Sequence, residues 1–479
     1  RGPLPTLRWL RAHPPPSEAA AELRADFLAV EANCLTWLRD FEEASDRCER
    51  ARRLAPEDPW VLVEQAFLEG QRDRPEAALE LARAALALRP SYRPALLSLA
   101  HQLTDLRRPE EAVALLDASA SQSYTVHHYR AELWLQLGDP ARAEAAAHEA
   151  LEAAPLVELA VERGLRALRA EAFYRARRYR RARRELEGIE RPFERRFREA
   201  LARLGDGASP PRIELQVPYV RQDHVTCAPA SLTSLAAYYG RAVDHDAVAE
   251  EICYAGTSSS RERRWATENG FVAREFDVTL EAARALLERG HPFTLTTRWT
   301  SQAHLQVACG YDAARGTFIL RDPSTPWLVE ADARALLEEQ GWSGPRGMTL
   351  VPRERAGELD GIELPQVALW DLLYRGQTYL EDQGVERATE VLEEMRALAP
   401  GHRLTLQFAL EVARQRGDRR AQVAHLDALL ELAPRTPRWV IDRAAAMRDL
   451  ESRSARREYL FAHSDSKDSD LLKHWDLGL

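Results

Sequence analysis

Gln222-Asp223-His224-Val225-Thr226-Cys227-Ala228-Pro229-Ala230-Ser231 is the stretch on which the reading of this chain turns. It links an alternating, strand-like segment, Ile213-Glu214-Leu215-Gln216-Val217, to a helical pattern carried by Leu232, Leu235, Ala236 and Tyr239. Pro229 suits a first helical turn, where a missing N–H costs nothing. Cys227 is therefore expected at a helix N-terminus, where the positive end of the dipole favours thiolate. Gln222, five residues earlier, offers a side-chain amide to an oxyanion formed at Cys227. The backbone N–H of Cys227 is the second candidate donor.

A cysteine nucleophile needs a base, and the base needs an orienting group. The run from His304 to Tyr311 reads as a strand, Asp312 to Arg315 as a turn, and Gly316 to Pro323 as the returning strand. With Gly310 facing Gly316, counting outward sets His304 opposite Asp322. Opposed residues share a face with Cβ atoms about 5 Å apart. A bulge at Gly316 would shift that register by one. Leu305, Val307 and Cys309 share the other, apolar face, which assigns Cys309 to the core. Cys253 ends a helix beside Ile252 and is assigned to packing. Cys34 and Cys48 lie on repeat helices without catalytic context. His224 with Cys227 has no third and fourth ligand spaced for a metal, so neither metal nor cofactor is expected.

Outward from this stretch, 207–356 reads as a mixed α/β segment. Helices are expected near 229–239, 244–252 and 279–289, and strands near 292–298, 304–310, 317–321 and 347–352. Gly205-Asp206-Gly207-Ala208-Ser209-Pro210-Pro211 is a linker. On both sides the chain repeats. Arg74-Pro75-Glu76-Ala77 returns as Arg108-Pro109-Glu110-Glu111-Ala112, 34 residues later, and as Asp139-Pro140-Ala141-Arg142-Ala143. Leu398-Ala399-Pro400 returns as Leu432-Ala433-Pro434, again 34 residues on. Trp134, Leu137 and Gly138 complete one unit, with a looser copy in Leu373, Tyr379 and Gly384. This period resembles the tetratricopeptide repeat (TPR), paired antiparallel helices that stack because one pair cannot bury its apolar face alone. Four or five units are expected within 17–205 and about three within 365–479. The fifteen arginines of 161–204 are interleaved with glutamates at helical spacing and read as a solvated face.

The central motifs also carry a family resemblance. Val217-Pro218-Tyr219-Val220, Gln222, Cys227-Ala228-Pro229-Ala230-Ser231-Leu232 and Tyr238-Tyr239-Gly240 look like the opening of the C39 cysteine peptidases. His304 followed by Gly310-Tyr311-Asp312, then Asp322-Pro323, is similar to that family's second half in order and spacing. The resemblance spans about 215–352. It implies a papain-like fold with Cys227 as nucleophile, His304 as base, Asp322 as orienter and Gln222 as oxyanion donor. Ala228 stands where the family usually has Gly. The exporter domains of many members have no counterpart here, so their substrates do not carry over.

The expected architecture is multi-domain: all-α TPR arrays over 1–206 and 357–479 flanking an α+β papain-like domain over 207–356. The expected activity is peptide hydrolysis through a Cys-His-Asp triad, with a protein or peptide substrate, or a protein partner, on the TPR grooves. The alternatives are a catalytically silent peptide-binding scaffold and an acyltransferase or peptide ligase on the same triad. Composition sets the limits. The 479 residues are 45% hydrophobic and 29% charged, which suits a globular chain and excludes a mainly disordered one. A net charge of −9 does not favour nucleic acid as a partner. No apolar run approaches the ~18 residues of a membrane span. Five scattered cysteines make no disulfide framework and fit a reducing, cytoplasmic setting. Positive charge is almost wholly Arg, with only Lys467 and Lys473, a bias expected of a GC-rich bacterial genome. The chain begins Arg1-Gly2-Pro3, so the lack of a visible signal peptide decides nothing.

Overall fold

The computed structural model describes residues 2–208, 211–254, 256–299, 302–434 and 436–463. The chain forms two compact units, Arg1–Pro210 and Pro211–Leu479. The first is helical. Helix α1 (Pro3–Ala12) precedes five hairpins among the described residues. They are α2 (Ala21–Trp37) with α3 (Phe41–Leu54), α4 (Pro59–Gln71) with α5 (Pro75–Leu88), and α6 (Arg93–Asp105) with α7 (Pro109–Asp117). Next come α8 (Tyr124–Gln136) with α9 (Pro140–Ala153), α10 (Leu159–Arg175) with α11 (Tyr179–Glu185), and then α12 (Pro192–Leu201). Pro59, Pro75, Pro109 and Pro140 open their helices, where a missing N–H is no loss. Asp58 and Asp139 cap theirs, accepting from the amides of Trp60 and Arg142. Each hairpin turns on one left-handed residue: Arg39, Asp73, Arg107, Gly138 and Arg177 have φ of 61°, 57°, 61°, 78° and 57°. Five residues after each comes an alanine with no exposed surface: Ala44, Ala78, Ala112, Ala143 and Ala182. A small side chain there lets the two helices of a pair approach closely.

The second unit begins with strand β1 (Arg212–Glu214), then α13 (Cys227–Tyr238), α14 (His245–Ile252), α15 (Ser259–Glu268) and β2 (Phe271–Asp277). It continues with α16 (Leu280–Glu288), β3 (Phe293–Arg298), β4 (Ala303–Asp312), β5 (Thr317–Arg321), β6 (Leu328–Asp332), α17 (Ala333–Glu339) and β7 (Arg346–Pro352). The strands form one antiparallel sheet in the order β2-β7-β3-β4-β5-β6, with β1 also on β4. One face packs on α13 and α15 through Leu232, Leu235, Trp265, Val307, Cys309 and Met348. The other packs on α16 through Leu286, Phe276, Phe293, Ala308 and Phe318. Gly310 lies where β1 crosses β4; a Cβ there would sit 2.2 Å from the Ile213 carbonyl oxygen.

Three further hairpins follow: α18 (Val367–Asp382) with α19 (Val385–Leu398), α20 (Arg403–Gln415) with α21 (Arg419–Leu432), and α22 (Pro437–Ala446) with α23 (Arg453–His463). Residues 464–479, which the sequence reading gives to the last repeat, lie outside the described residues. These hairpins share one compact unit with the sheet. Trp370 Nε1 donates to Asp277 at 2.9 Å, Ser260 Oγ to Glu381 at 2.8 Å, and Arg403 pairs with Asp277. Beneath them Arg346 bridges Glu275 at 2.6 Å and Glu262, while Arg263 bridges Glu275 and Asp371.

Three local expectations need correction. Gly310 pairs with Ile319, not Gly316, and the β4–β5 register shifts by one at Cys309. The turn takes 313–316, because Asp312 Oδ1 accepts from the amides of Ala314 and Arg315 and holds Gly316 outside the strand. Helix α15, strand β2, strand β6 and helix α17 go unread in the sequence. In the first two, the charged residues Glu262, Arg263 and Glu275 are buried against one another, so charge here does not mark a solvent face. Cys253 does not pack: it is half-exposed at the end of α14, and its Sγ donates to the Val225 carbonyl at 3.4 Å.

Candidate active site

The site is assembled where α13 begins and where β4 begins and β5 ends. Cys227 is the first residue of α13 and is half-buried. The helix starts there because Asp223 to Thr226 form a tight turn: the Asp223 amide donates to Thr226 Oγ1 at 2.8 Å. Within that turn Val225 has φ of 60°, a left-handed conformation costly for a β-branched residue. The first amides of a helix have no partner within it, which leaves the Cys227 N–H able to face a ligand.

His304 is the second residue of β4, and Asp322 directly follows β5. His304 Nε2 lies 3.0 Å from Asp322 Oδ1, and both side chains are more than four-fifths buried. They are not directly opposed. Below Cys309 the pairing runs Val307 with Arg321, which extends to Gln306 with Asp322. His304 is two residues on, on the same face, a diagonal neighbour. The shift at Cys309 decides this. Without it Asp322 would oppose Val307, and a one-residue slip puts a side chain on the other face.

Burial opposes a charged imidazole, but hydrogen bonds to Asp322 and to Cys227 outweigh it and raise His304 to about 9. Burial likewise opposes the Asp322 carboxylate; hydrogen bonds from His304 and from the amide and hydroxyl of Ser324 outweigh it and hold the group below its ordinary range. Ser324 donates to Oδ1 through N at 2.8 Å and Oγ at 2.6 Å. The sequence reading missed Ser324, although Asp-Pro-Ser is a pattern for an aspartate that folds back on its own chain. Gln222 is tied to the same corner: its amide donates to the Pro323 carbonyl at 3.0 Å. Its Oε1 is buried without a hydrogen-bond partner among the described residues. All four residues singled out from the sequence thus sit on segments that meet at this corner.

The other thiols are set apart by burial. Cys309 has no exposed surface, donates to the Ile319 carbonyl and is pushed up to about 12 by burial. Burial also pushes Cys48 up to about 12, and Cys34 upward. One group near the site has donor atoms suited to a cation: Asp223, His245 and Asp246 place theirs within 4.8 Å of one another. His224 is not part of it, and two of the three are exposed carboxylates.

A helix-start thiol beside a strand histidine held by a carboxylate, on an antiparallel sheet, defines a papain-like α+β domain. Residues 214–340 match the model of the Peptidase_C39 like family, so the chain carries a C39-like domain between TPR-type hairpins. No curated protein sequence matches the chain. Among solved structures, the peptidase domain of Streptococcus ComA, a bi-functional ABC transporter involved in a quorum-sensing pathway, is 19% identical. That match covers 29% of this chain and 99% of the other, with a TM-score of 0.25. Pseudomonas aeruginosa PilF is 18% identical over 38% of this chain and 85% of its own, with a TM-score of 0.34. YrrB, a TPR protein with an unusual peptide-binding site, is 14% identical over 34% of this chain and 83% of its own, with a TM-score of 0.27.

Proposed function

We propose that the C39-like domain is a cysteine peptidase and that the TPR hairpins recruit its protein or peptide substrate. The observation that carries this is the His304–Asp322 pair beside Cys227. Asp322 occupies Nε2, which leaves Nδ1 to exchange a proton with the Cys227 sulfur. Cys227 Sγ attacks the peptide carbonyl carbon. The oxyanion is taken by the Cys227 N–H and the Gln222 amide. On collapse, the imidazolium of His304 gives its proton to the leaving amine, and an acyl-thioester remains on Cys227. His304, now neutral, takes a proton from water; the hydroxide adds to the thioester, and the proton returns to sulfur as the acid leaves.

The test is a broad peptide library incubated with the full chain, read by mass spectrometry for cleaved products and for acyl adducts on Cys227. Cleavage by the unsubstituted chain and none by Cys227→Ala is the expected result. Cleavage that survives Cys227→Ala sinks the assignment, and ligated rather than hydrolysed products would move the reading to acyl transfer.

A further inference from the structure

Between the sheet and the C-terminal hairpins lies a cleft of about 300 Å³. Its floor is the end of β3 and the start of β4, with Ala303 one residue before His304. Its wall comes from α18, α20 and α22. The lining is unusual in what its charges do. Arg414 and Arg438 both pair with Asp442, at 2.9 and 3.0 Å. Both oxygens of Glu411 accept from Gln377 Nε2 at 3.2 Å, and burial pushes the Glu411 pKa up. Arg346 is held by Glu262 and Glu275. Arg298 stands apart: among the described residues its guanidinium has neither hydrogen bond nor ion pair, though it faces the cleft from the last position of β3. The residue is exposed at the strand end; loss of water around the guanidinium, then Arg346, lowers its pKa, while Glu262 and Glu411 oppose the shift. Around it are aromatic faces. Trp299 is 52% exposed, and Trp342 meets Trp439 edge-on at 5.8 Å.

A guanidinium that is exposed in a cleft, with neither hydrogen bond nor ion pair among the described residues, is open to a carboxylate brought by a ligand. The planar fork of Arg pairs two N–H groups with the two oxygens of a carboxylate, and the flanking indoles offer flat apolar surface to the adjoining residues. We infer that this cleft is a specificity site of the same peptidase, taking an extended peptide segment whose acidic side chain, Asp or Glu, pairs with Arg298. The cleft and His304 share one end of the sheet, where β3 ends and β4 begins, so an extended segment in the cleft leads towards the reacting centre. This rests on the peptidase reading for its purpose but not for its test.

The test uses the full chain carrying Cys227→Ala, so that binding is read without chemistry. A random heptapeptide display library is selected on it, and in parallel on the same chain with Arg298→Gln and with Arg298→Glu. Enrichment of Asp or Glu at one position is expected with Arg298. It should fall on the order of 10-fold with Arg298→Gln, as for loss of a charge-assisted bidentate contact. Arg298→Glu should turn the preference towards Lys and Arg, a gain that a misfolded variant cannot show. Among the described residues the Arg298 guanidinium makes no hydrogen bond or ion pair, so Arg298→Gln should melt with its parent. No enrichment on the parent, or acidic enrichment that survives Arg298→Gln, overturns the inference. If the selected peptides bind as expected but the unsubstituted chain leaves them uncut, the cleft stands and the peptidase reading falls.

Discussion

His304 and Asp322 stabilise one another's charged forms, and the signs lead to separate pH effects. The His304 pKa is raised from its ordinary value to about 9, so its contribution to stability is complete below about 6.5 and is lost as pH rises through about 9. Asp322 is lowered, so its contribution is present above its ordinary value and is lost as pH falls through the lower, folded one. Activity that needs the imidazolium should fall as pH rises through about 9. Removing the carboxylate while keeping the shape, Asp322→Asn, should bring that limb of kcat/KM down by roughly 1–3 pH units, because burial then dominates. An unmoved limb in a pH–rate profile would show that Asp322 does not orient His304. Thiol exposure gives a second prediction at this scale. Cys227 and Cys253 are half-exposed, whereas Cys34, Cys48 and Cys309 are buried. Timed iodoacetamide labelling with peptide mapping should modify the first two before the rest. His304→Ala should slow Cys227 and leave Cys253 unchanged; equal slowing of both would remove the case for a histidine-activated thiol.

The helical hairpins are held by a turn residue and a close contact that recur together. A left-handed Arg at 107 costs roughly 1–2 kcal/mol relative to a residue that visits that region freely, against which glycine loses some chain entropy on folding. Arg107→Gly should therefore raise the midpoint of thermal unfolding, while Ala112→Leu should lower stability by about 1–3 kcal/mol through overpacking. Thermal melting of Arg107→Gly and denaturant titration of Ala112→Leu decide the two; an Ala112→Leu protein as stable as its parent would mean the helices are not in the close contact the structure describes. Much of this was legible beforehand. The 34-residue spacing announced the paired helices. Four turns of the first unit did not announce themselves, because three arginines and an aspartate stand where glycine would signal a left-handed position.

At the scale of the whole molecule, Arg263 to Asp371 and Arg403 to Asp277 join the sheet to the C-terminal hairpins, above a set of charges within the sheet domain that have little access to water. Arg346 is 3% exposed and Glu275 2%. Removing the shared cation, Arg346→Met, leaves Glu262 and Glu275 buried together without it and should cost about 3–5 kcal/mol, well above the effect of a surface pair. A fragment ending near 356 should be less stable than one ending at 463, since it loses the Trp370 and Arg403 contacts to Asp277. Circular-dichroism melting of the two fragments tests this, and equal midpoints would show the hairpins to be independent of the sheet.

The sequence by itself determined the helical period and the position of Cys227 at a helix start, while order and spacing resembling the C39 peptidases picked out His304 and Asp322. These follow from local regularities: a repeat length, a proline in the first turn of a helix, alternation along strands. The tertiary structure decided how the companions meet. Their meeting depends on a one-residue shift at Cys309, and no local pattern marks a bulge whose residue is simply another buried apolar group. It also decided which charges are buried. Glu262, Glu275 and Arg346 come from segments far apart in the chain, and opposite charges can leave water together only where the fold has already brought them into contact.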